Sequence, residues 1–380
     1  MVMKLTSNER AGLRSPVSSA RTLPPRAYTE SEVFQAEKHR LFYSAWNCVG
    51  RIEQFQEVGD YRTVWLLDQP IILVRRETGL AAMSAICPHR QMLVTEGDGQ
   101  TGSFSCPYHL WKFSLEGKLI SAPLAGEHQA RDNDCDLTSI RLEQWQGFVF
   151  VTLNPDAEPI ATRLAGLTPH IEGYDMASMR IGHSQTFDSP WNWKLLVENF
   201  MEAYHHIGPH RESIQPQQPA HLSFSSGDAS KGWAVLSMPD DPKRESSSGL
   251  PLIPSLKEGQ DRQALASVVL PAFCWINTPS VAFWYQIEPS AHDAFTLTIH
   301  TLLPRPLLES PDGASVAASV GAIIEAIHLE DVPANVGPWQ ALKAPLAQAG
   351  WLTPLEEAIW LVNQWWLDRM DDEFEANSAS

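Results

Sequence analysis

Cys87-Pro-His89 and, sixteen residues on, Cys106-Pro-Tyr-His109 put one thiol and one imidazole on each of two loops. Thiolates suit iron–sulfur clusters or zinc, and imidazole suits both. Zinc sites of mixed donors usually draw two Cys from one loop and two His from the other. One of each per loop fits better a two-iron cluster in which one iron takes both thiolates and the other both imidazoles. Neutral imidazole in place of thiolate lowers the negative charge at that iron and raises its potential, which suits an electron relay. Pro88, Pro107, Gly97, Gly99 and Gly102 suit stiff, tightly turned ligand loops. A zinc knuckle, or four buried residues at coincidental spacing, are the competing readings.

Around these loops, Asn47 to Asn154 alternates short β-forming blocks (Tyr61–Leu67, Ile71–Val74, Ala81–Ile86, Phe148–Leu153) with Gly and Asp turns. This reads as an all-β module of common domain size. Ahead of it, Val33, Phe34, Leu41, Phe42 and Trp46 recur near helical spacing, with Thr29 or Ser31 as the cap. Met1 to Pro25 is rich in Ser, Pro and Arg, lacks the apolar stretch of a secretory signal, and reads as a disordered tail. Beyond a linker at 154–159, Leu195–His206 reads as a helix and Leu222–Trp284 and Phe295–Leu303 as largely β. Ala314–His328 and Thr353–Phe374 read as helices. Ala264–Ile287 is uncharged, but Pro271, Asn277 and Pro279 interrupt it, so two strands about a turn are expected rather than a membrane span. The expected class is α+β.

The 380 residues carry 28 Lys and Arg against 45 Asp and Glu, a formal charge of −17. That balance argues against sequence-independent nucleic-acid binding and disfavours anionic membranes. Five cysteines are too few for a disulfide scaffold and fit a reducing, cytoplasmic setting. Cys48, Cys135 and Cys274 read as ordinary buried thiols. Gly97-Asp-Gly99 lacks the third Gly and the helix of a dinucleotide-binding fingerprint.

A second group of donors runs Asn192-Trp-Lys-Leu-Leu-Val-Glu198-Asn199-Phe-Met-Glu202-Ala-Tyr204-His205-His206-Ile-Gly208-Pro209-His210. Glu202 and His205 would share a helix face, with Glu198 one turn earlier on the same side. His205 and His210 would diverge on an unbroken helix, but Gly208-Pro209 ends it and lets the second imidazole swing back. Two His and a carboxylate on one face of an iron leave positions open for dioxygen and substrate. So many ionisable groups beside Phe200 and Tyr204 are costly without a metal. Taken singly, His206 or His210 would read as a hydrogen-bonded histidine near a helix end, and His206 has no slot in the pattern.

Together, Cys87-x-His89, Cys106-x-x-His109 and Glu198-Asn199-Phe-x-Glu202-x-Tyr204-His205 with His210 resemble the large (α) subunit of Rieske non-haem iron oxygenases. The likeness runs from Leu23 to about Leu342. It implies a β-rich Rieske [2Fe–2S] domain, 47–155, inserted into an α+β helix-grip catalytic domain made of 1–46 and 156–380. Cys87, His89, Cys106 and His109 are the implied cluster ligands, and His205 and His210 the implied ligands of a mononuclear Fe(II). Glu202 matches the acid that bridges a neighbouring subunit's cluster histidine to His205. That slot is usually Asp, and Glu is reminiscent of the branch acting on quaternary ammonium substrates. Asn199 matches an Asn beside the iron. Asp331, in His328-Leu-Glu330-Asp331-Val, is the expected third ligand, with Glu330 second and the turn residue Asp312 third. The later Trp339-Gln340-Ala341-Leu342 departs from the family's Gln-x-Gly-Leu. The implied assembly is a head-to-tail homotrimer in which each cluster serves the neighbour's iron. A separate NAD(P)H-dependent reductase, with or without a ferredoxin, would supply electrons.

The expected activity is that of a terminal oxygenase that hydroxylates, dihydroxylates or oxidatively demethylates a small aromatic or aromatic-like molecule. Phe200, Met201, Trp233, Phe273, Trp275, Phe283, Trp284 and Tyr285 are candidate pocket walls, although plain packing accounts for many such residues. Strand alternation lets only one face of 283–285 reach a cavity. An aromatic cage around a methylammonium group would use the same walls, making a betaine- or carnitine-like compound the alternative substrate. From another class, an electron-transfer iron–sulfur protein without oxygenase activity would keep the first site and lack the second metal.

Overall fold

The short β-forming blocks pair into antiparallel sheets. A computed structural model describes residues 4–125, 135–245 and 249–371. It divides the chain into a unit of Phe42–Ile160 and a unit joining Met1–Leu41 to Ala161–Ser380. In the first unit seven strands lie in the order Asn47–Arg51, Phe148–Thr152, Ser139–Trp145, Gly79–Ser84, Gln69–Arg76, Asp60–Leu66 and Asp98–Gln100. The run Ile71 to Val74 in Gln69–Arg76 is fully buried, which is why it is continuously apolar rather than alternating. A small sheet of Phe104–Ser105, Lys112–Phe113 and Leu119–Ser121 carries the second ligand loop. Ile72, Val74, Met83, Phe104, Trp111 and Phe113 form one core with Cys87 and Cys106. Of the other thiols, Cys274 is buried, whereas Cys48 and Cys135 are partly exposed.

In the second unit seven antiparallel strands follow the order Met179–Ser189, Ala294–Pro304, Ala282–Ala291, Phe273–Asn277, Gln263–Val269, Trp233–Pro239 and Phe224–Asp228. The uncharged stretch from Ala264 thus enters three strands rather than two. Pro271 and Pro279 fall in the connections, where no ladder hydrogen bond is lost. Helix Gly313–Ala341 packs on Met179–Ser189, on Ala294–Pro304 and on helix Trp193–Phe200. It buries Ala317, Val320, Ile324 and His328 at three- and four-residue spacing. It extends well beyond the expected end at His328, with Pro333 and Pro338 inside it. Among the described residues it is the one helix long and apolar enough to cross a membrane, by length and composition alone. Gly321 permits its close approach to the sheet, since a Cβ there would stand 2.3 Å from His183 Cδ2.

The segment expected to be a disordered tail is helical over Ser7–Arg14. The Thr6 hydroxyl accepts the Glu9 N–H and the Glu9 carboxylate accepts the Thr6 N–H, a reciprocal cap. Arg10 and Arg14 pair with Asp371 and Asp368 at 2.5 and 2.6 Å, tying this helix to the end of helix Glu357–Met370. The helix expected from Ser31 to Trp46 is α-helical only over Ser31–Glu37 and continues as a wider π-helical turn over Lys38–Phe42. Its N-cap is Glu30, without a side-chain capping bond, rather than Thr29 or Ser31.

Candidate metal centres

The two Cys/His loops fold alike. Gln91 and Leu110 donate their N–H groups to the Cys87 and Cys106 carbonyls at 3.0 Å, while the Cys N–H groups donate to Met92 and Trp111 at 2.8 Å. Gln91 and Leu110 both take a φ of 59°, the left-handed conformation that closes each turn. The thiols of Cys87 and Cys106 are buried, 1% exposed each. His89 is exposed and His109 half-buried, with ring centroids 4.5 Å apart. His89 stacks on Trp111 at 4.7 Å. Burial pushes the Cys87 thiol up, and the neighbouring Cys106 thiol pushes the same way. His109 Nδ1 is buried with no hydrogen-bond partner among the described residues. Two buried free thiols and an orphaned imidazole nitrogen form an incomplete donor set that a cluster of mixed thiolate and imidazole ligation completes.

The second centre begins with Asn192, whose side chain accepts the Lys194 N–H at 3.0 Å and caps helix Trp193–Phe200. The helix stops at Phe200 rather than running to His206; the chain turns and resumes as a 3-10 turn over Tyr204–Ile207. That break parts the two acids expected on one face. Glu198 accepts the Tyr28 hydroxyl at 2.7 Å, and burial pushes it up to about 7 despite that bond. Glu202 instead reaches forward, 2.5 Å from His205 Nδ1, and accepts the His205 N–H at 2.9 Å.

Asp331, on the 313–341 helix, meets both remaining imidazole nitrogens: its Oδ1 is 2.9 Å from His210 Nε2 and 3.4 Å from His205 Nε2. All three donors lie within 4.8 Å of one another. Donors about 2.1 Å from a first-row ion stand about 3 Å apart when adjacent, so this spacing fits one ion. Glu330 takes the opposite side of the second histidine, 2.7 Å from His210 Nδ1, and accepts the Ser213 hydroxyl at 2.5 Å. Both histidines are therefore braced at Nδ1 by a carboxylate and aimed inward through Nε2, as metal-ligating imidazoles usually are. Asp312 stands at the N-cap of the same helix, about 28 Å along it from Asp331. Burial pulls His205 down, yet Asp331 and Glu202 raise it to about 9. His210 is likewise raised against burial by Asp331. Burial would raise Asp331, but the two imidazoles hold it well below the usual carboxylate range. The cluster stabilises positive charge at its centre, which a divalent cation supplies in place of two protons.

A cavity of about 160 Å³ opens beside these donors. One face of the sheet forms part of its wall: Met238 pairs with Ala264 across neighbouring strands, and Ala266, Ile276 and Phe283 form a second cross-strand row. Phe283 and Tyr285 face it, while the intervening Trp284 turns away and stacks on His300 at 4.4 Å. Phe200 meets Tyr285 edge-on at 4.9 Å. Met201, Trp233, Phe273 and Trp275 are buried core and stand outside this wall. Asn199 lines it, and Asn335 links the Asn199 amide oxygen (3.4 Å) to the Asp331 carbonyl (3.0 Å). Among the described residues no Lys or Arg lines it. Sequence reasoning missed the aliphatic walls, which carry no distinguishing signal. It also missed the bracing role of Glu330, whose only signal is its place beside Asp331.

Two family models match the chain: Rieske [2Fe-2S] domain over residues 45–141, and ring hydroxylating alpha subunit (catalytic domain) over 176–372. The carnitine monooxygenase oxygenase subunit of Escherichia coli K12 is 32% identical over 222 residues, 56% of this chain and 59% of that protein. The glycine betaine monooxygenase oxygenase subunit of Chromohalobacter salexigens is 33% identical over 198 residues, 51% of this chain and 44% of that one. The chain thus spans about half the length of the curated relatives it matches. Two solved structures share the fold at 20% identity. The quaternary ammonium Rieske monooxygenase CntA with L-carnitine has a TM-score of 0.79, covering 97% and 100% of the two chains. Naphthalene 1,2-dioxygenase from Rhodococcus sp. has a TM-score of 0.81, covering 95% and 97%. The two matched domains imply a Rieske [2Fe–2S] cluster and a mononuclear iron. Because the catalytic-domain match alone takes in more than half of the residues, this chain belongs to the ring-hydroxylating alpha-subunit family of Rieske oxygenases.

Proposed function

We propose that this chain is the terminal oxygenase of a Rieske system, using dioxygen and reductase-supplied electrons to hydroxylate, dihydroxylate or demethylate a small, largely apolar organic molecule. The supporting observation is the convergence of His205, His210 and Asp331 on one point at the wall of an apolar cavity. In this reading those three residues hold the mononuclear iron. Cys87, His89, Cys106 and His109 hold the cluster of a domain spanning 47–155, set into a catalytic domain of 1–46 and 156–380. When bound, the iron supplies dioxygen activation and the cluster supplies electrons for it.

The chain's own side chains do the rest. Glu202 and Glu330 accept the Nδ1 protons of His205 and His210 and fix both ring planes. Glu202 is also assigned the link to a cluster histidine of a neighbouring subunit in a homotrimer. Asn199, held through Asn335, keeps a polar amide beside the iron donors. Leu196, Ile214, Ile276 and Ile324 exclude water, and Phe200, Phe283 and Tyr285 present flat faces that orient a ring. The proposal includes a separate NAD(P)H-dependent reductase, with or without a ferredoxin, and a cytoplasmic location.

A second reading, a quaternary ammonium substrate, is favoured by the same three aromatic walls, which suit a methylammonium group. The names of the relatives point the same way. Against it, among the described residues no Lys or Arg lines the cavity to pair the carboxylate of a betaine or carnitine. The test is iron analysis with a substrate screen of arenes, aromatic acids and betaines using a surrogate reductase. Roughly three irons per chain and substrate-dependent oxygen uptake are expected. Two irons and no uptake would leave only an electron carrier.

A further inference from the structure

His206 has no part in the assignments above, yet it stands on the cavity wall. Its ring centroid lies 5.1 Å from that of His205 and 5.7 Å from that of His210, and it is not one of the three converging donors. Its Nδ1 is 3.1 Å from the backbone carbonyl oxygen of Gln218. A carbonyl can only accept, so Nδ1 carries the proton. In the neutral ring Nε2 is then a lone-pair acceptor, and among the described residues it has no hydrogen-bond partner. The surrounding wall is mostly aliphatic or aromatic. Thr278, another polar wall residue, already donates its hydroxyl to the Val281 carbonyl at 2.8 Å. In an apolar cavity a few placed polar groups decide ligand orientation.

We propose that His206 is the substrate-orienting residue of this cavity: its Nε2 accepts a hydrogen bond from a hydroxyl or ring N–H on an otherwise apolar, uncharged substrate. That bond selects which edge of the molecule is turned towards His205, His210 and Asp331. The substrate class is therefore a hydroxyarene or an N–H heteroarene rather than a plain hydrocarbon or a carboxylate. This inference rests on reading the cavity as the substrate site of the oxygenase.

The test uses the iron-loaded, cluster-containing protein and two shape-matched probe pairs, indole with indene and 2-naphthol with naphthalene, with binding measured by equilibrium dialysis. The donor-bearing member of each pair should bind about 5- to 10-fold tighter, the worth of one buried hydrogen bond. His206→Asn keeps a donor for the Gln218 carbonyl but has no atom at the ε position, so the ratio should fall to about one. His206→Gln returns an acceptor to that position and should restore part of the preference. Iron and cluster content should be unchanged in both variants. Equal binding within the pairs, or no binding by any probe, overturns the proposal, as does a preference that survives in His206→Asn. Loss of iron in His206→Asn also overturns it, because the residue would then act through the metal site. Tyr285→Phe is the control for the other hydroxyl on the wall: loss of the preference there, and not in His206→Asn, overturns the assignment too. A preference in protein that loads no mononuclear iron supports His206 and sinks the oxygenase reading; iron without a preference does the reverse.

Discussion

Replacing Glu330 should loosen the mononuclear iron and leave the cluster untouched. The two bracing carboxylates are unequal. The Glu202 side chain is 10% exposed and 2.5 Å from His205 Nδ1, whereas that of Glu330 is 37% exposed and 2.7 Å from His210 Nδ1. Loss of such an outer partner costs about 10- to 100-fold in metal affinity. Water can stand in for the more exposed acceptor, so Glu330→Leu belongs near the low end, about tenfold or about 1.4 kcal/mol. Glu202→Leu, in a drier setting, belongs near the high end. Glu330→Gln keeps an acceptor for the Nδ1 proton but removes the charge. A neutral hydrogen bond is worth roughly half a charge-assisted one, so about 0.7 kcal/mol, or about threefold, should be lost. The assay is Fe(II) competition against a coloured chelator, with cluster absorbance as the internal measure of chain concentration. Wild-type affinity in Glu330→Leu, or equal losses in the Leu and Gln variants, would refute the bracing argument. A parallel loss of cluster colour would refute it as well, since the Cys/His loops belong to the other unit.

Asp331→Ala should lower iron from roughly three to roughly two atoms per chain while the visible spectrum of the cluster persists; retention of the third iron would refute its ligand role. Glu198, ordinarily near 4.5, is raised to about 7 by burial. The folded state therefore binds its proton more tightly than the unfolded chain, and the resulting stability is complete below about 4.5 and lost as pH rises through 7. Glu198→Gln keeps an acceptor for Tyr28 and should gain on wild type by up to about 3 kcal/mol between pH 4.5 and 8, measured by denaturant titration; parallel pH profiles would exclude this effect. Gly321→Ala sets the 2.3 Å approach to His183, an overpacking cost of about 1–3 kcal/mol, against about 1 kcal/mol gained in helix propensity. A net loss of up to about 2 kcal/mol, with weaker iron binding as the helix bearing Asp331 shifts, is expected; an unchanged melting curve and iron affinity would count against the close-packing argument.

What the sequence disclosed follows from how far apart the cooperating residues lie. The Cys/His pairs and the His205–His210 interval are local, so spacing alone exposes their chemistry. Asp331 stands 121 residues from His210, and only a resemblance could nominate it, because no local pattern separates it from Glu330. The fold then gives the neighbours opposite tasks, one facing Nε2 and the other Nδ1 of the same ring. The helix end at Phe200 was not legible for a related reason. Met201-Glu202-Ala203 favours helix by propensity, but Glu202 spends its carboxylate on the His205 N–H and ring, a local side-chain bond that competes with the helical ladder. The N-terminal helix was legible in Thr6 and Glu9, yet Ser, Pro and Arg composition outweighed a four-residue cap signal. Pocket walls were the least legible, because aromatic bulk draws attention while alternation and register decide exposure. Trp284 and Phe283 are adjacent and similar in kind, and only the strand's two-residue period sends one to the cavity and the other against His300. The same reasoning makes His206 informative: it is a buried polar side chain on a mostly aliphatic and aromatic wall, and its Nε2 has no hydrogen-bond partner among the described residues, so its placement calls for a ligand as well as for packing.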